Sequence, residues 1–205
     1  MLPIPWSKKS TWIFDMDGTL TESLHDFPAM KRALGLPEDC DILSNLAQMD
    51  PAEAAPKYAQ LHQLELEVAD QSRAAEGAAD LLAFLQKRGC HLAILTRNNR
   101  QCTEHTLAAA GLNHFFAEHL ILTREDGHAK PAPGGIFTLL DRTQSQPISS
   151  LMLGDYLFDL EAGRAAGVHN VLIHPQNDVA WSHLADAWFP HPAALLNQLQ
   201  INGTT

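Results

Sequence analysis

The sequence predicts an α/β fold, a doubly wound parallel sheet with a small all-helical insertion. From residue 76 onward, short apolar runs alternate with amphipathic stretches of helical period, a pattern typical of βαβ units whose parallel sheet carries helices on both faces. Between residues 22 and 75, apolar residues recur at helical spacing only. We therefore expect an α/β core of residues 1–21 and 76–205, interrupted by a helical insertion of residues 22–75.

Six short apolar runs predict the strands. The first run, Trp12-Ile13-Phe14, is followed at once by Asp15 and Asp17, and Gly18 then allows a sharp turn. If this strand continued through the two aspartates, their side chains would share a face, because a strand repeats every two residues. The other predicted strands are residues 91–96, 120–122, 151–153, 170–173 and 187–189.

The predicted helices rest on apolar spacing and on residues that start or stop a helix. Three or four helices are expected in the insertion, and Pro51 suits the first turn of one of them. In the core, Asn98 or Asn99 can cap a helix that runs to about Ala110 and stops at Gly111. The remaining core helices are expected to start near residues 78, 133, 158 and 193.

Composition and charge narrow the possible functions. The chain has 205 residues, 45% of them hydrophobic, which is enough for one domain with a real core and a small insertion. Its formal net charge of −10 argues against non-specific binding to nucleic acid, which needs a basic surface. An anionic substrate would therefore have to be captured by local positive groups.

No feature of the sequence indicates a membrane protein or a secreted one. No apolar run approaches the roughly 20 residues that span a bilayer, and the first ten residues lack the apolar stretch of a signal peptide. Cys40, Cys90 and Cys102 form no Cys-x-x-Cys pair and are interpreted as small hydrophobic residues with reduced thiols. We expect a cytoplasmic monomer or weak homodimer without nucleic-acid or membrane partners.

Polar side chains follow four of the predicted strands, at the edge of an α/β sheet where ligands bind. Four carboxylates in one crevice repel, by about 4 kcal/mol for each pair about 4 Å apart at an effective dielectric constant near 20. A hard divalent cation such as Mg²⁺, or a proton on one carboxyl, would relieve that repulsion. These residues are Asp15 and Asp17 after the first strand, Thr96 after the second, Lys130 after the third, and Asp155 and Asp159 after the fourth.

Each of these residues also has an ordinary structural interpretation. Lys130 alone could be a solvated loop lysine, Thr96 a strand-end residue, and Asp159 a favourable neighbour of a helix dipole. Their combination at successive strand ends favours a site for an anionic group, with Lys130 and Thr96 supplying the positive charge and the hydrogen-bond donor. A protonated carboxyl beside an ionised one would pair an acid with a nucleophile.

These motifs, in this order, resemble those of the haloacid dehalogenase superfamily hydrolases. The similarity is to the subgroup with a helical cap between the first and second motifs, which includes phosphoglycolate phosphatases, and it covers roughly residues 10 to 175. The matching residues are Asp15-Met16-Asp17-Gly18-Thr19-Leu20 for the first motif, Thr96 for the second, Lys130 for the third, and Gly154-Asp155 with Asp159 for the fourth.

The resemblance implies a Rossmann-like core and a Mg²⁺-dependent phosphatase that acts on a small phosphorylated metabolite. In such an enzyme Asp15 is the nucleophile that forms an aspartyl-phosphate, and Asp17 is first the general acid and then the base for water. Asp15, the carbonyl of Asp17 and Asp155 bind Mg²⁺, supported by Asp159.

The resemblance also implies how the substrate is held. Thr96 and Lys130 hold the phosphoryl oxygens, while Arg97, beside Thr96, either contacts the substrate or is solvated. The insertion becomes a cap that closes over the site and excludes water.

Other functions stay open at this point. A phosphosugar mutase would share Asp17, and only kinetics with a bisphosphate would separate it from a phosphatase. A 2-haloacid dehalogenase is disfavoured because halide leaves without protonation, and relatives with that activity usually lack the second aspartate. A receiver-like signalling domain is disfavoured by the insertion and by Asp17, and a non-catalytic metal-binding module by the intact motifs.

Overall fold

Six parallel strands form one sheet in the order β3-β2-β1-β4-β5-β6. The computed structural model describes residues 4–127 and 129–202. All six predicted strands are confirmed. The third is shorter than expected because Leu120 belongs to a 3₁₀ turn, Glu118–Leu120. The strands are β1 Thr11–Phe14, β2 His91–Leu95, β3 Ile121–Leu122, β4 Ser150–Gly154, β5 His169–Ile173 and β6 Ala187–Phe189.

The strand order reverses at β1, which makes the sheet doubly wound. β2 and β3 lie on one side of β1, whereas β4 lies on the other, with Phe14 opposite both Ile94 and Leu153. At such a reversal the loops that follow neighbouring strands diverge to opposite faces and leave a crevice between them. The carboxyl ends of β1, β2 and β4 therefore border one crevice.

Helices cover both faces of the sheet because its central strands are apolar on both sides. Trp12 and Phe14 pack in one hydrophobic cluster with helices of residues 78–87 and 192–202, while Ile13 packs in a second with helices of residues 134–142 and 157–166. The two-residue repeat of a strand requires this division. Asn99 caps α5, as expected, because its Oδ1 accepts a hydrogen bond from the backbone nitrogen of Cys102 at 2.8 Å. The core helices are α4 Ala78–Lys87, α5 Arg100–Ala109, α6 Gly134–Arg142, α7 Leu157–Ala166 and α8 Pro192–Asn202.

The insertion contains three helices, α1 Phe27–Leu34, α2 Ile42–Ala47 and α3 Pro51–Ala69. Pro51 occupies the first helical position of α3, as predicted. The helices share a small hydrophobic cluster of their own, formed by Met30, Leu34, Leu36, Ile42, Leu46 and Leu61. The chain leaves and re-enters the core side by side, since Thr21 forms an antiparallel bridge with Ala74. The limits of the insertion at residues 22 and 75 stay a prediction.

The cysteines and the apolar character of the helices can be read directly from the structure. Cys40, Cys90 and Cys102 are free thiols, with Cys102 buried and the other two half-buried. In the described part of the chain, no helix has both the length and the apolar character needed to cross a bilayer.

Candidate active site

The site begins where β1 ends. The strand stops at Phe14 and does not continue through Asp15 and Asp17, so the condition under which they would share a strand face is not met. Asp15 still lies beside β4, because its backbone nitrogen donates to the oxygen of Leu153 at 2.8 Å. The chain then turns tightly at Gly18, whose φ of 85° is in the left-handed region, and a Cβ there would come within 2.4 Å of Asp155 Oδ2. Glycine is required here by both its conformation and its size.

Lys130 is the buried cation at the centre of this edge. Its Nζ donates to Asp15 Oδ1 and to Asp159 Oδ1, each at 2.5 Å, and the residue is only 4% exposed. Burial alone would lower the pKa of Lys130, but the two carboxylates outweigh it and raise that pKa above its usual value. The interpretation of Lys130 as a solvated loop lysine is therefore excluded.

Asp155 and Asp159 are held at the start of α7. Asp159 Oδ2 accepts the backbone N–H of Tyr156 at 3.0 Å, an arrangement that caps the helix. Burial raises the pKa of Asp159 to about 6, although Lys130 opposes the shift. Burial, together with the negative charges of Asp15 and Asp159, raises the pKa of Asp155 well above its usual value. Burial is the largest cause of both shifts, and the negative charge of Asp15 adds to each of them.

Three carboxylates converge closely enough to bind one cation. Oxygens of Asp15, Asp155 and Asp159 lie within 4.8 Å of one another. An all-oxygen set of this kind fits the hard cation Mg²⁺, which commonly uses one or two carboxylates together with phosphate and water. Because Asp159 is already engaged by Lys130 and by the backbone of Tyr156, Asp15 and Asp155 are the better direct ligands, with Asp159 behind them.

Asp17 lies beside this cluster in a different environment. Asn98 Nδ2 donates to its Oδ2 at 2.6 Å, and His25 Nδ1 is 3.8 Å from its Oδ1. Burial, with the negative charges of Asp15 and Glu65, raises the pKa of Asp17 to about 7, even though Lys130 opposes this. A carboxyl with such a pKa can both donate and accept a proton near neutral pH.

Sequence reasoning did not identify Asn98 and His25 as neighbours of Asp17. The only signal for Asn98 was its place two residues after Thr96, at the end of β2. Burial lowers the pKa of His25, so this ring favours its neutral form and acts as a polar neighbour rather than as a cation.

Thr96 and Arg97 follow β2 at the same edge of the sheet. Thr96 is buried, and its Oγ1 accepts the backbone N–H of Asn98 at 3.1 Å. Arg97 is not simply solvated: its Nη1 and Nη2 donate to the two carboxylate oxygens of Asp41 at 2.9 and 2.7 Å. Its guanidinium carbon also lies 4.5 Å from the ring centroid of Phe158. Burial opposes the ionised form of Asp41, but Arg97 and Ser44 hold its pKa well below the usual value.

A second polar cluster joins α3 of the insertion to the core. Arg124 Nη1 and Nη2 donate to the carboxylate oxygens of Glu65 at 2.7 and 2.8 Å. The side chains of His62, Glu65 and Cys102 also approach one another closely enough to suggest a metal site. However, Asn99 Nδ2 contacts all three, at 3.0 Å from His62 Nδ1 and 3.3 Å from Glu65 Oε2 and Cys102 Sγ. Hydrogen bonds and Arg124 therefore satisfy this cluster without a metal. Sequence reasoning missed it entirely.

The chain is similar in sequence or fold to known phosphatases and hydrolases. The chain is 31% identical over 209 residues to an N-acetylmuramic acid 6-phosphate phosphatase of Pseudomonas putida, which covers 89% of this chain and 92% of the relative. It is 25% identical over 190 residues to a phosphoglycolate phosphatase of the same organism, covering 78% of this chain and 67% of that one. The crystal structure of a hydrolase from Pseudomonas syringae has the same fold, with a TM-score of 0.78 and 22% identity over 94% of this chain and 99% of that one.

The family model for haloacid dehalogenase-like hydrolases matches residues 29–167. The matched segment contains Thr96, Lys130, Asp155 and Asp159, and it starts after Asp15 and Asp17. With a match over more than half of its length, the chain belongs to the haloacid dehalogenase-like hydrolases.

Proposed function

We propose that this hydrolase is a Mg²⁺-dependent phosphatase that cleaves a small phosphate monoester through an aspartyl-phosphate on Asp15. The observation that carries the proposal is the pairing of two unlike carboxyls: Asp15 is held by Lys130, and Asp17 beside it has a pKa near 7. Such a pair separates the nucleophile from the acid. The phosphatase names of the two relatives from Pseudomonas putida support the same class of reaction.

In the first half of the proposed reaction, a carboxylate oxygen of Asp15 attacks phosphorus, and the bond from phosphorus to the ester oxygen breaks. Lys130 and Thr96 hold phosphoryl oxygens, whereas Arg97, the further candidate for that role, is already paired with Asp41. Asp17 gives its proton to the departing alkoxide. When bound by Asp15, Asp155 and the backbone of Asp17, with Asp159 in support, Mg²⁺ would offset charge on the phosphoryl group.

In the second half, water hydrolyses the aspartyl-phosphate. Asp17, now ionised, accepts a proton from the attacking water, and phosphate leaves with Asp15 regenerated. The pKa of about 7 suits both directions of this transfer. Asn98 would keep Asp17 in place through both steps, since it donates to the oxygen Oδ2 and leaves Oδ1 to exchange the proton.

We propose that the insertion acts as a cap. Its contacts to the loops after β2 and β3, through Asp41 and Glu65, support a position over the crevice where it would exclude water during the reaction. A small phosphorylated metabolite as substrate and a cytoplasmic location complete the proposal, and the monomeric or weakly dimeric state stays a prediction.

The proposal is tested by phosphate release from a panel of phosphorylated metabolites and an aryl phosphate, with Mg²⁺ and after exhaustive chelation. We expect hydrolysis that requires Mg²⁺ and is blocked by beryllium or aluminium fluoride, which mimic a phosphoryl group on Asp15. Full turnover after chelation would contradict the proposed mechanism. Chloride release from chloroacids without phosphate release from the esters would instead indicate a dehalogenase.

A further inference from the structure

Two arginines of the core each form two hydrogen bonds to a carboxylate of the insertion. Arg124, which follows β3, makes two hydrogen bonds to Glu65 of α3, and Arg97, which follows β2, makes two to Asp41 at the start of α2. Both pairs are bidentate, the arrangement in which an arginine recognises a carboxylate most specifically. Within each pair the positive charge of the arginine offsets the negative charge of the carboxylate, and both pairs join the insertion to the core.

These pairs lie next to the reacting groups. Arg97 directly follows Thr96, and the backbone nitrogen of Arg124 donates to the oxygen of Asn98 at 3.0 Å, while the side chain of Asn98 contacts Asp17. Glu65 is only 7% exposed and is close enough for its charge to act on Asp17. A leaving group that receives its proton from Asp17 must therefore be accommodated beside Glu65 and Arg124.

An anionic leaving group would fit this region poorly. To bind a carboxylate or a second phosphate, Arg97 or Arg124 would have to abandon its partner and leave Asp41 or Glu65 uncompensated in a partly or fully buried position, which is costly. The same anion would also face the negative charge of the carboxylate that its arginine had left, Glu65 or Asp41. The side chain next to Asp17 is the neutral amide of Asn98, which suits a hydroxyl group better than an anion because it carries no charge to balance one.

We infer that the substrate's leaving group is uncharged and polar, a sugar or polyol alcohol, and that the Arg97–Asp41 and Arg124–Glu65 pairs exclude leaving groups that carry a carboxylate or a second phosphate. This inference rests on the proposed phosphatase function and narrows its substrate class. It also sets this chain apart from both relatives from Pseudomonas putida, since the leaving groups of phosphoglycolate and of N-acetylmuramic acid 6-phosphate each carry a carboxylate.

Two matched pairs of esters test the inference, since each pair differs only by a hydroxymethyl group in place of a carboxylate. They are 2-hydroxyethyl phosphate against 2-phosphoglycolate, and glycerol 1-phosphate against 3-phosphoglycerate. We expect the wild type to show a kcat/KM at least about tenfold higher for the neutral member of each pair. An aryl phosphate, assayed with Mg²⁺, reports whether the enzyme is a phosphatase at all.

Variants that release one arginine from its carboxylate partner should reduce the preference for the neutral esters over the carboxylate esters. Glu65→Gln frees Arg124 and Asp41→Asn frees Arg97, and either one should raise kcat/KM for the carboxylate esters relative to the neutral ones. Using both keeps the test open if one variant fails to fold. Asp70→Asn is the matched control, because Asp70 contacts His105 Nδ1 at 2.7 Å in an exposed pair between the insertion and α5. Its ratio of neutral to anionic substrates should equal that of the wild type.

The outcomes separate the two proposals. If the aryl phosphate is hydrolysed but the wild type prefers the carboxylate esters, the inference about the leaving group is overturned and the phosphatase function stands. The inference is equally overturned if the folded Glu65 and Asp41 variants keep the wild-type ratio. If the aryl phosphate and all four esters release no phosphate with Mg²⁺, the proposed function fails and the inference fails with it.

Discussion

Asp15 and Asp17 are two residues apart, yet their surroundings give them different chemistry. Asp15 accepts a hydrogen bond from the buried cation Lys130. Asp17 is held instead by the neutral amide of Asn98, and its pKa rises to about 7 because it is buried near two other negative charges. The assignment of acid and nucleophile follows from this difference and not from the residue type.

At the scale of single residues, we predict that Asp17→Asn lowers the activity towards alkyl phosphates far more than the activity towards aryl phosphates. An alkoxide needs the proton of Asp17 to leave, whereas a nitrophenolate hardly needs it, and general acid catalysis typically contributes about 10²- to 10⁴-fold. The measurement is kcat/KM of wild type and variant across a series of leaving groups. Equal losses across the whole series would remove Asp17 from the role of leaving-group acid.

At the scale of elements, the turn from β4 into α7 connects the cluster of carboxylates to the helix behind it. Gly154 ends β4, and a Cβ at this position would lie 2.2 Å from the Cβ of Asp159 and 2.3 Å from its Oδ2. Asp159 in turn caps α7 and holds Lys130. Because residue 154 has no side chain, Asp159 can pack against the end of β4 while it caps α7 and accepts a hydrogen bond from Lys130.

We predict that Gly154→Ala lowers both stability and activity. Overpacking of a close contact typically costs about 1–3 kcal/mol, and the displaced Asp159 would also move Lys130. Urea unfolding and kcat with an aryl phosphate measure the two effects. Gly89→Ala is a useful control: its φ of 72° strains alanine, but a Cβ there meets nothing within 4 Å, so stability should fall while kcat is kept. A Gly154 variant with wild-type kcat would show that this packing does not position the site.

For the whole molecule, the free energy of unfolding depends on whether Asp17 is protonated. The pKa of Asp17 is raised above that of an unfolded aspartate, so the folded state holds its proton more tightly. Between about pH 4 and pH 7 the folded protein therefore binds more protons at Asp17 than the unfolded chain does, and this group's contribution to stability falls as the pH rises.

This coupling predicts a pH-dependent difference between the metal-free wild type and Asp17→Asn, whose side chain cannot ionise. The variant should gain stability relative to the wild type as the pH rises from about 4 to 7, by at most about 1.4 kcal/mol per pH unit. Denaturant unfolding of both proteins with chelator gives the difference, in which the contributions of the histidines cancel. A difference that stays constant with pH would mean that the pKa of Asp17 is not raised.

Much of the fold and part of the site could be predicted from the sequence, because they depend on local patterns. The strand that ends before Asp15, the cap supplied by Asn99 and the polar residues at successive strand ends are each visible within a few residues. The pairs Arg97–Asp41 and Arg124–Glu65 are not, since their partners lie 56 and 59 residues apart in the chain and meet only when the insertion packs on the core. The sequence makes Asn98 a candidate helix cap, whereas its amide contacts Asp17, 81 residues away in the chain.

The central claim is that Asp15 forms a covalent phosphoryl intermediate, and capture of that intermediate tests it most directly. In Asp17→Asn, an aryl phosphate should produce a burst of phenol followed by slow turnover, because the base that activates water is missing. Rapid quenching and peptide mass spectrometry should then find one phosphoryl group on the peptide that contains Asp15, and none after Asp15→Asn is added to the variant. Phenol release without a burst and without an adduct, an adduct on another residue, or Asp15→Asn alone retaining more than about a tenth of wild-type kcat, would contradict the account.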